Sequence, residues 1–240
     1  QQVSSAASDV YKRQVGKNIS FYDKDSKKYQ LPKIIKINYK LFKDVDVIFT
    51  SLPNGESQKI ANKLLKKNIM IDLSADFRLT NAKIYNKYYG IKHISLNNLK
   101  KSIYGLTEIN KKNLSKGKII ACPGCYPTSI LLPLFPLIKK NLIDFKNIII
   151  DSKSGFSGAG RGVHKKFKNK NLYGSTSAYG IGSHRHNAEI QQELSYIKKN
   201  IEFTFTPHIL PMFRGILSTI YLDYKRTVSY THLTLPTTPV

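Results

Sequence analysis

The chain has 240 residues, of which 41% are hydrophobic, so it is long enough for one large or two small domains with a core. Lysine and arginine total 39 against 15 acidic residues, a balance that suits an anionic substrate or nucleic acid, although the lysines are spread along the chain. Two cysteines and the lack of an apolar run of about 18 residues exclude a disulfide framework and a membrane span, so the cytoplasm is the expected compartment.

The two ends of the chain read as non-native. One DNA sequence can encode Ser4 to Gln14, and its reverse complement in a shifted frame can encode Val228 to Thr237. This relation is typical of a sequencing adapter read at both ends of a fragment. We therefore predict adapter-like tails at residues 1–14 and 227–240, which play no part in the fold.

The first half of the native part alternates strands and helices. Val45–Thr50 and Asn68–Leu73 are apolar runs of strand length, and residues 56–67 between them have helical periodicity. This order predicts a parallel α/β sheet with ligand-binding loops at the carboxyl ends of its strands. The turns that begin at Ser51 and Ser74 lie at two such ends.

The segment around Cys125 supplies the first candidate catalytic residue. Lys118–Ala121 reads as a strand, and a Pro-Gly turn then leads to Cys125 and to an apolar helix predicted from Thr128 to Ile138. A thiol at the start of a helix lies near unpaired backbone N–H groups and the positive end of the helix dipole. Both favour the thiolate, which is the nucleophilic form, so Cys125 is the predicted nucleophile.

Cys122 and Cys125 also form a Cys-x-x-Cys pair. Such a pair is compatible with dithiol redox exchange, with half of a metal site, or with two small structural residues. A zinc site needs two further ligands, and no second cysteine pair or His-x-x-x-His follows, so no metal is predicted. A dithiol oxidoreductase and a basic nucleic-acid-binding protein remain as alternative functions.

The second half reads as α+β with a partly antiparallel sheet. Strands are predicted at residues 147–151, 202–206 and 216–224, and a helix at residues 187–199. Between the first strand and the helix we expect a Gly/Ser-rich loop, Ser152–Gly162. The backbone N–H groups of such a loop could approach an anion or a carboxamide.

Two segments of the second half carry candidate histidines. His208 lies between two prolines at a predicted strand end, where a stiff loop could hold an imidazole beside a thiol as acid or base. His184, Arg185 and His186 come directly before the predicted helix and could bind a carboxylate or a phosphate. The alternatives are a structural histidine and a helix cap with solvated charges.

Seven blocks, in the same order, resemble the N-acetyl-gamma-glutamyl-phosphate reductases, NADP-dependent enzymes of arginine biosynthesis. They lie at residues 51–55, 71–79, 104–108, 122–128, 152–161, 178–194 and 205–215. The resemblance implies a partial Rossmann-like NADP-binding domain at residues 15–124. It also implies an α+β catalytic and dimerisation domain of the semialdehyde-dehydrogenase type at residues 125–226, and a homo-oligomer.

The resemblance implies a mechanism in which Cys125 attacks an acyl phosphate, expels phosphate and forms a thioester that NADPH reduces to the semialdehyde. His208 matches the acid/base histidine of the family. The candidates for holding the phosphate or carboxylate of the substrate are Arg161, His184 and Arg185. The residues carried over as cofactor-side positions are Ser51, Pro53, Ser74, Ser154, Gly155, Ser157 and Gly158.

The sequence departs from the family in two respects. Cys122 stands where the family has asparagine, so we expect that oxidation could join Cys122 to Cys125. The Gly-rich turn that holds the NADP pyrophosphate has no counterpart, since Gly16 and Gly55 are the only glycines before residue 90, and the family continues past Arg226. We therefore expect that this polypeptide alone binds NADPH weakly and has little activity.

Overall fold

The structure, a computed structural model, describes residues 14–22, 24–29, 31–64, 68–159 and 174–225. Within these ranges the strands form two four-stranded sheets, one between residues 47 and 121 and the other between residues 148 and 221. Apart from Gln14, the two tails predicted from the sequence lie outside the described residues. None of the described helices is both long enough and apolar enough to cross a membrane.

The first sheet is parallel throughout, as predicted. Its strands follow the spatial order β1-β2-β4-β3, with a parallel register between each pair of neighbours. The strands are β1 (Val47–Thr50), β2 (Ile69–Asp72), β3 (Ser102–Tyr104) and β4 (Ile119–Ala121). Its helices are α1 (Ser57–Leu64), α2 (Ala82–Tyr89), α3 (Leu96–Lys101) and α4 (Thr107–Leu114). Short 3-10 turns at Ile19–Phe21, Lys24–Lys28 and Tyr39–Phe42 precede it.

A buried carboxylate, Asp76, fixes the turn that follows β1. It accepts hydrogen bonds from the Gly55 N–H at 2.7 Å, from the Gln58 N–H at 3.0 Å and from the Tyr85 hydroxyl at 2.6 Å. Gly55 has φ of 89°, a left-handed conformation that favours glycine. The turn at the carboxyl end of the sheet is therefore held from inside the protein.

The second sheet is mixed, in the order β6-β7-β5-β8. Its long strands β5 (Ile148–Gly155) and β7 (Phe203–Leu210) are parallel, while β6 (Ser177–Ala178) and β8 (Ile216–Tyr221) are antiparallel to their neighbours. Helices α5 (Cys125–Lys139) and α6 (His186–Ile197) cover one face, which we call the inner face. The core there includes Leu131, Leu134, Ile148, Ile150, Ile190, Leu194 and Phe205.

Two strands continue further than the sequence analysis expected. β5 runs through Ser152 to Gly155, so the first part of the predicted Gly/Ser loop is strand. Its serines suit a strand because their hydroxyls are bonded inside the sheet, with Ser152 Oγ 2.7 Å from Ser218 Oγ. β7 likewise runs through Pro207 to Leu210, so His208 lies in a strand and not in a loop after one.

Helix α5 begins at Cys125, three residues before its predicted start at Thr128. Pro127 does not prevent this, because the first turn of a helix has no intrahelical acceptor for the N–H groups and loses nothing when one is missing. The other boundaries differ by one to three residues, and residues 65–67 of the predicted first helix lie outside the described ranges.

Candidate active site

An open cavity of about 600 Å³ lies beside the start of α5. It brings together seven of the residues singled out in the sequence, which are Cys125, Ser154, Gly155, Gly158, His184, Arg185 and His186. It adds Tyr88, Tyr126, Tyr179 and Ile209, which had no assigned role. The sequence therefore pointed to seven of the eleven residues that line this cavity.

Cys125 is exposed in this cavity as the first residue of α5. The N–H of Gly124 is already used, since it donates to Glu189 Oε1 at 2.7 Å. Pro127 has no N–H, and among the described residues no acceptor bonds the N–H of Cys125 or Tyr126. These two groups are therefore the backbone donors free to face negative charge beside the thiol.

Two histidines share the cavity with Cys125. His186 is buried, and its Nε2 faces the Cys125 loop so closely that a Cβ on Gly124 would lie 2.6 Å from it. His184 Nδ1 accepts the backbone N–H of His186 at 3.1 Å. Since Nδ1 of His184 is an acceptor, the neutral ring carries its proton on Nε2.

Both imidazoles are neutral near pH 7. Burial lowers the pKa of His186 to about 2, assisted by the neighbouring His184, Arg78 and Arg185. Burial and Arg185 lower the pKa of His184 to about 4. A neutral imidazole can accept a proton on one nitrogen and donate a hydrogen bond from the other.

Glu189 lies behind the Cys125 loop and is fully buried. Its Oε1 accepts the N–H of Gly124 and the hydroxyl of Tyr104, both at 2.7 Å. Its Oε2 has no hydrogen-bond partner but lies 3.6 Å from Arg78 Nη1. Burial raises the pKa of Glu189, and the Arg78 guanidinium opposes that shift.

The structure does not bring His208 to the cavity. Its neighbour Ile209 lines the cavity, and successive side chains of a strand point to opposite faces, so His208 faces outward from β7. There its Nδ1 lies 3.0 Å from Asp151 Oδ1 on β5, and Asp151 also contacts Lys153 Nζ at 2.5 Å. The expected position of His208 beside the thiol is therefore wrong, because β7 continues past Pro207 and fixes the face.

The predicted anion-binding role of the Gly/Ser segment is also corrected in part. The N–H groups of Gly155, Phe156 and Ser157 donate to carbonyls of residues 212–215 at 2.9 to 3.0 Å. A Cβ on Gly155 would lie 2.8 Å from Arg214 N, so the glycine serves chain packing there. Ser157 is half-buried outside the cavity lining, whereas Gly158 is exposed within it.

The cofactor-side positions of the first sheet lie away from this cavity. Ser51 is exposed and Pro53 is half-buried at the carboxyl end of β1. Ser74 is buried, and its hydroxyl donates to Asp72 Oδ2 at 2.7 Å, so it fixes its own loop. Arg161 lies outside the described residues.

Cys122 and Cys125 have separate surroundings. Cys122 is half-buried, burial raises its pKa, and it does not line the cavity. Residues 122–124 contain no turn or bend, and Gly124 is extended, with φ −66° and ψ 158°. Both thiols are free, and only that of Cys125 faces the cavity.

Four residues around Cys125 were not predicted in these roles from the sequence: Arg78, Tyr104, His186 and Glu189. A signal existed for one pair, since His186 and Glu189 are three residues apart at the start of a helix and so share its face. Their contacts with Gly124 join segments distant in sequence and could not be read from spacing. Among the described residues no group of three or more metal-ligating side chains is present.

Sequence comparisons match the two halves of the chain to two family models. A family model described as "Semialdehyde dehydrogenase, NAD binding domain" matches residues 2–117, and one described as "Semialdehyde dehydrogenase, dimerisation domain" matches residues 125–235. The chain belongs to the semialdehyde dehydrogenase family. The parallel α/β class with a nicotinamide-cofactor domain is confirmed with it.

Curated relatives refine the family. The chain is 48% identical over 189 residues to N-acetyl-gamma-glutamyl-phosphate reductase from Alkaliphilus metalliredigens, covering 78% of this chain and 55% of that protein. It is 46% identical over 199 residues to a probable chloroplastic N-acetyl-gamma-glutamyl-phosphate reductase from Arabidopsis thaliana, covering 81% and 49%. The predicted resemblance to these reductases is confirmed, and neither alternative function is supported. The chain spans about half the length of these relatives.

Solved structures of the same family share the fold. Aspartate semialdehyde dehydrogenase from Francisella tularensis aligns with a TM-score of 0.60 at 14% identity, covering 90% of this chain and 67% of that one. The enzyme from Candida albicans, solved with NADP, aligns with a TM-score of 0.55 at 14% identity, covering 90% and 63%. At such identities the likeness concerns the fold alone.

Proposed function

We propose that this chain carries the acyl-transfer site of an NADPH-dependent N-acetyl-gamma-glutamyl-phosphate reductase. Such an enzyme reduces the acyl phosphate to N-acetylglutamate semialdehyde and releases phosphate. One observation carries the proposal, which is the exposed thiol of Cys125 at the first position of α5, in a cavity shared with two neutral histidines. The identity to curated reductases supports this choice of substrate.

In the first step Cys125 Sγ attacks the acyl carbon, and the phosphate leaves with the electrons of the acyl C–O bond. His186 relays the thiol proton to the departing phosphate, since its Nε2 faces the Cys125 loop and its low pKa disfavours a lasting imidazolium. The product is a thioester on Cys125. This assignment replaces His208, which faces Asp151 on the other side of the sheet.

Three donors are assigned to the negative charge that develops on the acyl oxygen. The N–H groups of Cys125 and Tyr126 and the Nε2–H of His184 are the donors for that oxygen. Each donor of this kind is typically worth about 3–4 kcal/mol in a transition state. Arg185, exposed at the cavity, is the cation for the substrate's phosphate or carboxylate.

The residues that would hold NADP lie in two places, at the cavity and at the carboxyl end of β1. Ser154, Gly155 and Gly158 line the cavity, and Ser51 and Pro53 lie at the carboxyl end of β1, where open α/β sheets bind nucleotides. When bound, NADPH supplies the hydride for the thioester carbon. Ser74 is left out of this set because Asp72 binds its hydroxyl.

The first half-reaction tests the proposal without the cofactor. The 240-residue chain is mixed with N-acetyl-gamma-glutamyl phosphate, and released phosphate and protein mass are followed together. We expect one acyl group on Cys125 for each phosphate released, with none in Cys125→Ser and an unchanged adduct in the matched control Cys122→Ser. Phosphate release without an adduct, or an adduct that persists in Cys125→Ser, would overturn the proposal.

We also propose that the outer face of the second sheet binds a second copy of the chain. Ile149, Leu217 and Tyr221 are 50%, 63% and 56% exposed on neighbouring strands of that face. The family model that matches residues 125–235 is described as a dimerisation domain. Ile149→Lys should convert a dimer to a monomer in sedimentation, while Ile94→Lys, an exposed isoleucine elsewhere, should not. A dimer that survives Ile149→Lys would contradict this interface.

The proposal includes two domains and a cytoplasmic location. The two sheets are built from residues on either side of Gly124 and Cys125, which supports a boundary between residues 15–124 and 125–226. A cytoplasmic location is expected for an enzyme that uses a reduced thiol.

A further inference from the structure

The geometry points to Arg78 as a positioning residue that fixes the loop carrying Cys125 and holds Glu189 as its anionic anchor. Arg78 does not line the Cys125 cavity, so it acts through its neighbours and not on the substrate. Only the effect on acyl transfer rests on the proposed function.

Arg78 joins three segments of the chain through one planar group. Its Nε donates to the carbonyl of Cys122 at 2.7 Å, and its Nη2 donates to the carbonyl of Leu73 at 3.0 Å. Its Nη1 lies 3.6 Å from Glu189 Oε2. The guanidinium therefore links the loop after β2, the loop before α5 and the helix α6.

The segment from Cys122 to Gly124 is consequently held at three points. The N–H of Cys122 donates to Asp72 O at 2.8 Å, its carbonyl accepts from Arg78, and the N–H of Gly124 donates to Glu189. Arg78 makes one of these bonds directly and supports another through Glu189. Removing it would leave the carbonyl of half-buried Cys122 without its side-chain donor and the buried Glu189 without the cation that faces it, which is costly in a folded protein.

Arg78 also balances charge in a water-poor region. Glu189 is fully buried, and a buried carboxylate without a cation tends to take up a proton. Its Oε2 has no hydrogen bond, so Arg78 is the cation that faces it. Burial is the main cause of the lowered pKa of His186, and the same guanidinium adds to that shift.

Lysine cannot replace Arg78 fully. An ammonium group keeps the positive charge, but it lacks the planar fork whose N–H groups reach three acceptors in different directions. Arg78→Lys should therefore preserve part of the charge effect and lose most of the loop restraint. Arg78→Met should lose both. The two variants separate charge from geometry.

The test measures amide hydrogen exchange by NMR in the 240-residue chain, where the Gly124 N–H reports on the loop and the Ile150 N–H in β5 reports on global stability. We expect Gly124 exchange to accelerate on the order of tenfold in Arg78→Met and less in Arg78→Lys, relative to Ile150 in the same sample. Lys59→Met removes a surface cation paired with Glu56 and should leave both amides unchanged.

An equal acceleration at Gly124 and Ile150 would show a merely structural role and would overturn the inference, as would an unchanged Gly124 rate. The acylation rate gives a second readout. It should fall about tenfold to a hundredfold in Arg78→Met, because small displacements of a nucleophile are costly. If wild-type protein forms no thioester, the proposed function fails, while the exchange data still decide the role of Arg78.

Discussion

The two faces of the second sheet carry ionisable groups in opposite settings. On the inner face, His184 and His186 share a cavity with Cys125, and burial lowers the pKa of both rings. On the outer face, His208 lies at ion-pair distance from Asp151, which also contacts Lys153. The outer side chains keep 24% to 31% of their surface exposed.

This difference separates two kinds of histidine that look alike in the sequence. The inner rings are neutral and share their cavity with Cys125, and among the described residues they form no carboxylate ion pair. The outer ring of His208 has Asp151 as a carboxylate partner and does not line that cavity. Neighbouring residues of β7 lie on opposite faces of the sheet, so Ile209 lines the inner cavity while His208, one position earlier, lies on the outer face.

Gly124→Ala should give the largest effect on the inner face among single methyl additions. The new Cβ would lie 2.6 Å from His186 Nε2 and 3.0 Å from Glu189 Oε2, while φ of −66° at Gly124 allows alanine without backbone strain. We expect acylation of Cys125 to slow about a hundredfold. Thr219→Ala on the outer face serves as the control. Equal acylation rates of Cys125 in the two variants would contradict the difference between the two faces.

Glu193→Gln should raise the free energy of unfolding at high pH, an effect that we expect on the inner face and not on the outer face. Burial raises the pKa of this α6 carboxyl to about 7, so the folded state favours its neutral form. The wild-type protein therefore loses stability as pH rises from 4.5 through about 7, because Glu193 must ionise while it is buried. Glutamine cannot ionise, so the variant does not lose this stability. We expect the free energy of unfolding of the variant, measured by thermal unfolding, to exceed that of the wild type by up to about 3 kcal/mol at pH 8 and by little at pH 4.5.

Asp151→Asn is the outer-face control for that measurement. The Asp151 and Lys153 side chains are each about 30% exposed, and pairs of this kind contribute about 0–1 kcal/mol. The stability change at pH 8 should therefore be smaller than that of Glu193→Gln. A larger loss in Asp151→Asn would mean that the outer cluster is the more strongly coupled one.

The smallest effect concerns Cys122, whose thiol lies outside the cavity. Because the backbone of Cys122 is bonded to Asp72 and Arg78 and its thiol does not line the cavity, oxidation should not join it to Cys125. After mild oxidation and removal of the oxidant, no Cys122–Cys125 disulfide should be found by peptide mapping. Such a disulfide at high yield would show that this loop moves more than its hydrogen bonds suggest.

The sequence predicted the parts of the molecule that depend on local pattern. The buried runs before Ser51 and Ser74 predicted the parallel strands, and the Pro-Gly turn placed Cys125 at a helix start. His208 was misplaced because Pro207 suggested a strand end, whereas pairing with β5 carries β7 to Leu210. Pairing between distant strands is not encoded in local spacing.

The inner site was found only in part for a similar reason. Glu189 bonds the N–H of Gly124 across 65 positions of sequence, and Arg78 bonds the carbonyl of Cys122 across 44. Neither contact leaves a periodic signal, and a charged residue in a helix is usually solvated. The residues that hold the loop therefore emerge only from the tertiary structure.

The most direct test compares His186→Asn with His208→Asn in the acylation of Cys125 by N-acetyl-gamma-glutamyl phosphate, followed as phosphate release and thioester mass. Loss of a general base typically costs about 10²–10⁴ in rate, so His186→Asn should slow acylation by that order, and His208→Asn should stay near the wild-type rate. A comparable loss in His208→Asn, or a near-normal rate in His186→Asn, would contradict the assignment of acyl transfer to the inner face.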